Sequence, residues 1–312
     1  MLNKRIFNRK APIALLIVGM LSFIWSCSND TDSMVSPKKD FITSPYDCSE
    51  FNYSDTLYFK SSSTTDLIVS TANALTGTFG AFPEGLSIDK NTGEINITES
   101  EAGLRYKVFF IPQNMADSCF RYITVSGIDF ASGVFNLDNN SLVASPTYKG
   151  LSNMLPCSID NDDSDDDDDG EDEGCEFDDD EDDDDGDGSE DEPEDGQDVT
   201  SQGVDIDKIT GSINLKNTIK NGALGVNPAN GTAKIFRIYY RLNDNSQKAL
   251  NFIDVRLHYF KNLSDVPQSL LNTVNEKNKE FGAIIDQNSA NFRTNGISKR
   301  PPDIIIVGRY SF

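Results

Sequence analysis

Residues 85–97 read GLSIDKNTGEINI, and residues 203–215 read GVDIDKITGSINL. Eight of the thirteen positions are identical, and at two more, Leu86/Val204 and Ile97/Leu215, both residues are apolar. A match of this length outside low-complexity sequence signals a duplicated unit. Each copy reads as a strand, a tight turn and a strand. Ile88 and Ile95 anchor the two strands of the first copy, and Ile206 and Ile213 those of the second. Asp89 and Asp207 are spaced to accept hydrogen bonds from turn amides. Gly93 and Gly211 supply the positive φ that such turns require.

Outward from the hairpins, the two copies continue alike. Residues 104–111 (LRYKVFFI) and 234–242 (KIFRIYYRL) are β-branched and aromatic, and a second such run follows each, at 119–125 (CFRYITV) and 250–260 (LNFIDVRLHYF). In the last run Ile253, Val255, Leu257 and Tyr259 alternate with Asp254, Arg256 and His258. Such alternation marks strands with one buried and one wet face, which places His258, the only histidine, on the solvent side. Residues 56–60 and 66–70 are further short strands. Short strands separated by Gly, Asn and Ser turns predict an all-β chain of two β-sandwiches.

The segments Pro83-Glu84-Gly85-Leu86-Ser87-Ile88-Asp89, Asn91-Thr92-Gly93-Glu94-Ile95 and Ala102-Gly103-Leu104-Arg105-Tyr106-Lys107-Val108 resemble the Ig-like and cadherin-like repeats of bacterial surface proteins. The resemblance covers about 50 residues of the first copy, and only its core recurs in the second, where Pro83 has no counterpart. It implies Ig/cadherin-like sandwiches that serve as spacers or adhesion modules. Cadherins bridge calcium between domains with carboxylate motifs. The nearest candidate here, Leu137-Asp138-Asn139-Asn140, lacks that pattern.

The expected organisation is a first sandwich over 41–130 and a second over 131–260, followed by a small C-terminal helix-plus-strand appendage over 261–312. In the appendage Val266, Leu270, Leu271, Val274 and Phe281 share one helical face, and Asp303-Ile304-Ile305-Ile306-Val307 reads as a buried strand.

The formal net charge is −24, and it is concentrated. Between Asp160 and Asp198, 27 of 39 residues are acidic and none is basic, while the remainder is close to neutral. That balance argues against nucleic acid as a partner, because phosphate binding needs a basic footprint. The window precedes the second hairpin, so 160–198 is expected to be a disordered loop inserted into the second sandwich. Asp165, Asp167 and Asp169, with Gly170 and Glu176, match EF-hand ligand spacing, and Glu181, Asp183, Asp185 and Glu192 match it less well. In so acidic a run four such matches arise by chance about a quarter of the time. The expectation is therefore loose collection of divalent cations such as Ca²⁺.

A basic start, an apolar run over 11–26 and then Cys27 form an export signal that resembles that of bacterial lipoproteins. Cys27 would carry the lipid, residues 27–40 would form a tether, and the chain would sit at the outer membrane or cell surface. Four further cysteines, Cys48, Cys119, Cys157 and Cys175, suit an oxidising compartment. They allow three connectivities; Cys48–Cys119 with Cys157–Cys175 is favoured, because the first two sit at strand ends.

Nucleophile-elbow, zincin, P-loop and dinucleotide motifs are absent, and the only tryptophan, Trp25, falls in the signal. The expected function is non-enzymatic: a binding or adhesion module with a protein or glycan partner. The rivals are a structural spacer in an envelope complex and a glycan-binding accessory protein.

Overall fold

The computed structural model describes residues 46–63, 65–115, 117–154, 156–157, 174–178, 198–278 and 300–309. These residues are mostly strands, with few helices, and they surround two principal hydrophobic cores.

The first lobe contains β1 (Leu57–Tyr58), β2 (Ile68–Val69), β3 (Gly77–Phe82), β4 (Ser87–Ile88), β5 (Ile95–Asn96), β6 (Leu104–Pro112) and β7 (Cys119–Val125). One sheet has the order β1-β7-β6-β3 and the other the order β2-β5-β4. Alternation along β6 sends Leu104, Tyr106, Val108 and Phe110 inward. There they meet Phe51, Phe79 and Ile123 from their own sheet's side and Val69 and Ile95 from the smaller sheet. Cys48 is bonded to Cys119 at the start of β7.

The second lobe contains β8 (Gly127–Phe130), β9 (Gly133–Asn136), β10 (Val143–Ala144), β11 (Pro146–Lys149), β12 (Glu176–Phe177), β13 (Ile213–Asn214), α1 (Leu215–Lys220), β14 (Thr232–Arg241), β15 (Asn251–Phe260), α2 (Gln268–Asn278) and β16 (Asp303–Val307). Its main sheet has the order β12-β14-β15-β16-β9. The lobe's core reaches back to Ile128 and Phe130 and forward to Ile304 and Ile306. Ile128 and Phe130, within the span 41–130 expected for the first sandwich, thus belong to the second core.

The duplication holds atom by atom in the hairpins. Gly93 N–H donates to Asp89 O at 2.9 Å, and Gly211 N–H to Asp207 O at 2.8 Å. Asp89 Oδ1 accepts from Asn91 N and Thr92 N, and Asp207 Oδ1 from Ile209 N and Thr210 N. Both glycines have positive φ, and a Cβ at either would strike an aromatic ring, Phe79 at 2.7 Å or Phe177 at 2.4 Å. Those rings are equivalent too: Phe79 N donates to Lys90 O, and Phe177 N to Lys208 O. Thus β12 is the counterpart of β3, β14 of β6 and β15 of β7.

The C-terminal strand departs from the expected appendage. In the first lobe β1 pairs parallel with β7. In the second, β16 occupies that parallel position beside β15, and β9 is pushed one place outward, parallel to β16. All five residues of β16 are buried, so the strand is the inner part of a sheet. Helix α2 covers one face of it, where Phe260, Val266, Val274, Ile305 and Val307 form a third cluster.

Candidate functional site

The acidic window is not one insertion. A two-residue strand stands in its middle. Phe177 is fully buried, its ring stacked on Tyr240 with centroids 5.9 Å apart. Glu176 Oε1 accepts from Lys248 Nζ at 2.8 Å, and Arg241 Nε lies 3.8 Å from its other oxygen. On the N-terminal side Cys175 is bonded to Cys157. On the C-terminal side the Asp178 carboxylate accepts from Val199 N (2.6 Å), Thr200 N (2.8 Å) and Thr200 Oγ1 (2.7 Å). Burial raises the Asp178 pKa, and those three donors offset only part of the rise. Asp198 Oδ2 then accepts from Ser201 N at 2.6 Å.

Residues 174–178 thereby divide the window in two, with a disulfide on the N-terminal side and a carboxylate clamp on the C-terminal side. Both fastenings flank β12, the edge strand of the main sheet. Of the insertion expected over 160–198, residues 174–178 and 198 belong to the fold, and the rest lies outside the described residues. Asp165, Asp167 and Asp169 lie outside the described residues, as does Cys27. Glu176, expected beside them as a fourth ligand, is a sheet residue paired with two basic side chains. Among the described residues no group of three His, Cys, Asp or Glu side chains could hold a metal ion.

The second constellation joins the lobes. β7 passes into β8 through Ser126 alone, and Gly103 packs so tightly there that a Cβ would lie 1.8 Å from Ile128 O. Arg300, brought back from the C-terminal segment, donates through NH2 to Ala102 O and Ile128 O, both at 3.1 Å. Its NH1 lies 3.3 Å from Asp129 Oδ1, close enough for an ion pair but without hydrogen-bond geometry. Both side chains are almost wholly buried. Nearby, Asp244 Oδ2 accepts from Ser126 Oγ at 2.8 Å and Tyr148 OH at 3.0 Å. Burial raises the pKa of Glu101 at this junction, against the opposing pull of Arg300. A buried guanidinium thus stands between the lobes. Asp138 of the Leu137–Asn140 motif sits instead in an exposed turn, its N–H held by Asn136 Oδ1 at 2.9 Å.

The third constellation is centred on Asp303, which is fully buried. It accepts from His258 Nε2 at 2.8 Å and from Lys277 Nζ of α2, and Arg256 stands 3.4 Å away. Lys277 also donates to Pro301 O at 2.6 Å. Burial pushes the Asp303 pKa up, but His258 and Lys277 outweigh it and hold the carboxyl at about 2. His258 is thus not a solvent-face residue. Its outward parity on β15 is as read, but α2 covers that end of the sheet.

None of Arg300, Asp129, Asp178 and Asp244 was identifiable from spacing. Phe177 carried the one visible signal, an aromatic residue inside a run of carboxylates.

No family model matches the chain, and no curated protein does. Among solved structures, human protocadherin-24 EC1-2 aligns over 67% of this chain and 94% of its own, at 13% identity and a TM-score of 0.20. Drosophila OTK extracellular domains 3-5 aligns over 67% of this chain and 64% of its own, at 10% identity and a TM-score of 0.16. Among the described residues no helix is long and apolar enough to cross a membrane.

Proposed function

We propose that this protein is an exported, lipid-anchored binding or adhesion module of the cell envelope, built on two Ig/cadherin-like sandwiches and not an enzyme. The observation that carries this reading is the anchoring of the acidic stretch at one edge strand, β12. A disulfide and a triply bonded carboxylate fix residues 174–178 on either side of it, and in this reading the acidic residues between are displayed from that base. Closely spaced carboxylates repel one another and bind divalent cations with low selectivity. In this reading Ca²⁺ binds weakly at several positions and adjusts how the loops meet a basic partner.

Calorimetry tests this. Calcium should bind weakly, with salt-sensitive heats that fall when either loop is excised. One tight stoichiometric site would instead require an ordered centre and would overturn the reading. The anchor is tested separately: a Cys27→Ser chain should leave the membrane fraction.

A second reading, a rigid spacer in an envelope assembly, is favoured by the Arg300 junction. Residues from both lobes and from the C-terminal segment meet there around one buried cation.

A further inference from the structure

Beyond the acidic window the sequence changes character. Between Asp207 and Asp244 no residue is Asp or Glu, in a chain of net charge −24. That stretch builds α1, the loop after it and β14. The loop turns through Gly222, Gly225 and Gly231, all at positive φ. It carries Val226 out to 83% exposure, the highest of any large apolar side chain among the described residues. Lys261 N–H donates to Asn230 Oδ1 at 2.8 Å, and Gly231 N–H to Tyr259 O at 2.8 Å. The loop therefore lies beside the turn after β15, where Leu263 is 54% exposed. Two aliphatic side chains thus stand out from neighbouring turns at one end of the second lobe.

Lysines accompany them. Lys216 and Lys220 are exposed on α1, Lys234 near the start of β14, and Lys261 beside Leu263. No ion pair joins Lys216, Lys220 or Lys261 to another side chain among the described residues. Lys234 Nζ stands 4.5 Å from the Phe236 ring centroid. The nearest carboxylate in the chain is Asp265, which accepts from Asn262 Nδ2 at 2.8 Å. The first lobe joins at the opposite end of β14, where Ser126 bonds to Asp244, and the acidic window is fastened there too, where Glu176 pairs with Arg241. Along the ten residues of β14 that is about 30 Å away. Screening falls off over about 8 Å at physiological ionic strength, so the acidic attachment does not cancel the lysines.

We infer that this end of the second lobe docks on an anionic lipid surface. Val226 and Leu263 enter the headgroup layer, and the lysines meet lipid phosphates. Apolar insertion and lysine attraction add together in holding a peripheral protein on a membrane. The shape selects lipid over an acidic protein: a protein must offer a fitted pocket for each protruding tip, whereas headgroups part around it. The cations agree, since lysines are compact point charges on flexible stems and suit mobile phosphates. The inference goes beyond the proposed function and does not rest on it, because it needs neither a lipid on Cys27 nor calcium.

Residues 40–312 form one compact unit holding both lobes, and they contain no tryptophan. Flotation of that chain with vesicles of equimolar phosphatidylglycerol and phosphatidylcholine tests the docking, with EDTA to prevent calcium bridging through the acidic window. The chain should float with these vesicles and not with pure phosphatidylcholine. Lys220→Ala and Lys261→Ala should each weaken binding about fivefold, the worth of one lysine near an anionic surface. Leu263→Glu should weaken it further. Lys90→Ala, at an exposed position of the first lobe, should leave it intact. Val226→Trp supplies a single fluorescent probe, whose emission should shift to the blue only with the anionic vesicles. Absence of flotation, an unaffected Lys220→Ala/Lys261→Ala chain of native circular dichroism, an equal loss in Lys90→Ala, or a tryptophan emission unchanged on binding would each overturn the inference.

Discussion

Replacing Phe177 with alanine should destabilise the second lobe far more than removing most of the acidic charge around it. The ring is fully buried, stacks on Tyr240, and fills the space against Gly211 where a Cβ would come within 2.4 Å. The hairpin beneath it is fixed by Asp207 and Gly211, so the cavity has little means of collapse. The cost is about 3–5 kcal/mol, the range for a buried phenylalanine cut to alanine. At about 2–4 °C per kcal/mol for a domain of this size, the melting temperature should fall by roughly 10 °C. Excising 161–172 or 181–196 should instead change stability by less than about 1 kcal/mol, since loop-closure entropy varies only logarithmically with length. Excising all of 160–198 removes Cys175, Phe177 and Asp178 together and should unfold the lobe. Differential scanning calorimetry of the four chains decides the matter. A Phe177→Ala chain that melts with the wild type, or a full excision that does so, would refute the description of β12 as a structural strand.

Three further outcomes are expected. Arg300→Met should remove the buried guanidinium beside Asp129, at a cost of about 3–5 kcal/mol, and split a joint calorimetric transition into separate ones for the two lobes. A chain ending at residue 299 should keep the first lobe folded and lose the second, read as disappearance of the near-ultraviolet signal from the tyrosines of β14 and β15. The Asp303 carboxyl has a folded pKa of about 2 against an ordinary 3.8, so its stabilisation is fully present above the higher value and is lost as pH falls towards the lower. Lys277→Met removes one of the groups that depress it, so acid unfolding followed by circular dichroism should begin at higher pH; an unmoved midpoint would count against the Asp303 cluster as a stabilising latch.

What was legible in the residues was local. Asp89 with Gly93 and Asp207 with Gly211 specify their turns within five residues, and β6, β7, β14 and β15 declare themselves through alternation. What was hidden is non-local. A two-residue strand inside a run of carboxylates has no periodicity to read, and Arg300 reaches its carbonyl partners from about 170 to 200 residues away in sequence. His258 was misplaced for the same reason, since the strand cannot announce that a later helix will cover one end of its outer face.

The position of β16 follows a similar logic with a consequence for folding. In the first lobe, the strand beside β7 precedes it in the chain, so that lobe has its whole sheet once β7 exists. In the second, β9 and β15 are never neighbours; the strand between them is the last of the described strands. Until Asp303–Val307 arrives, β15 presents an open edge of backbone donors and acceptors, and Ile304 and Ile306 are missing from the core. The same segment delivers Arg300 to the junction and Asp303 to Lys277. Completion of the second sheet, docking of the lobes and pinning of α2 are therefore one event, set by residues 300–307.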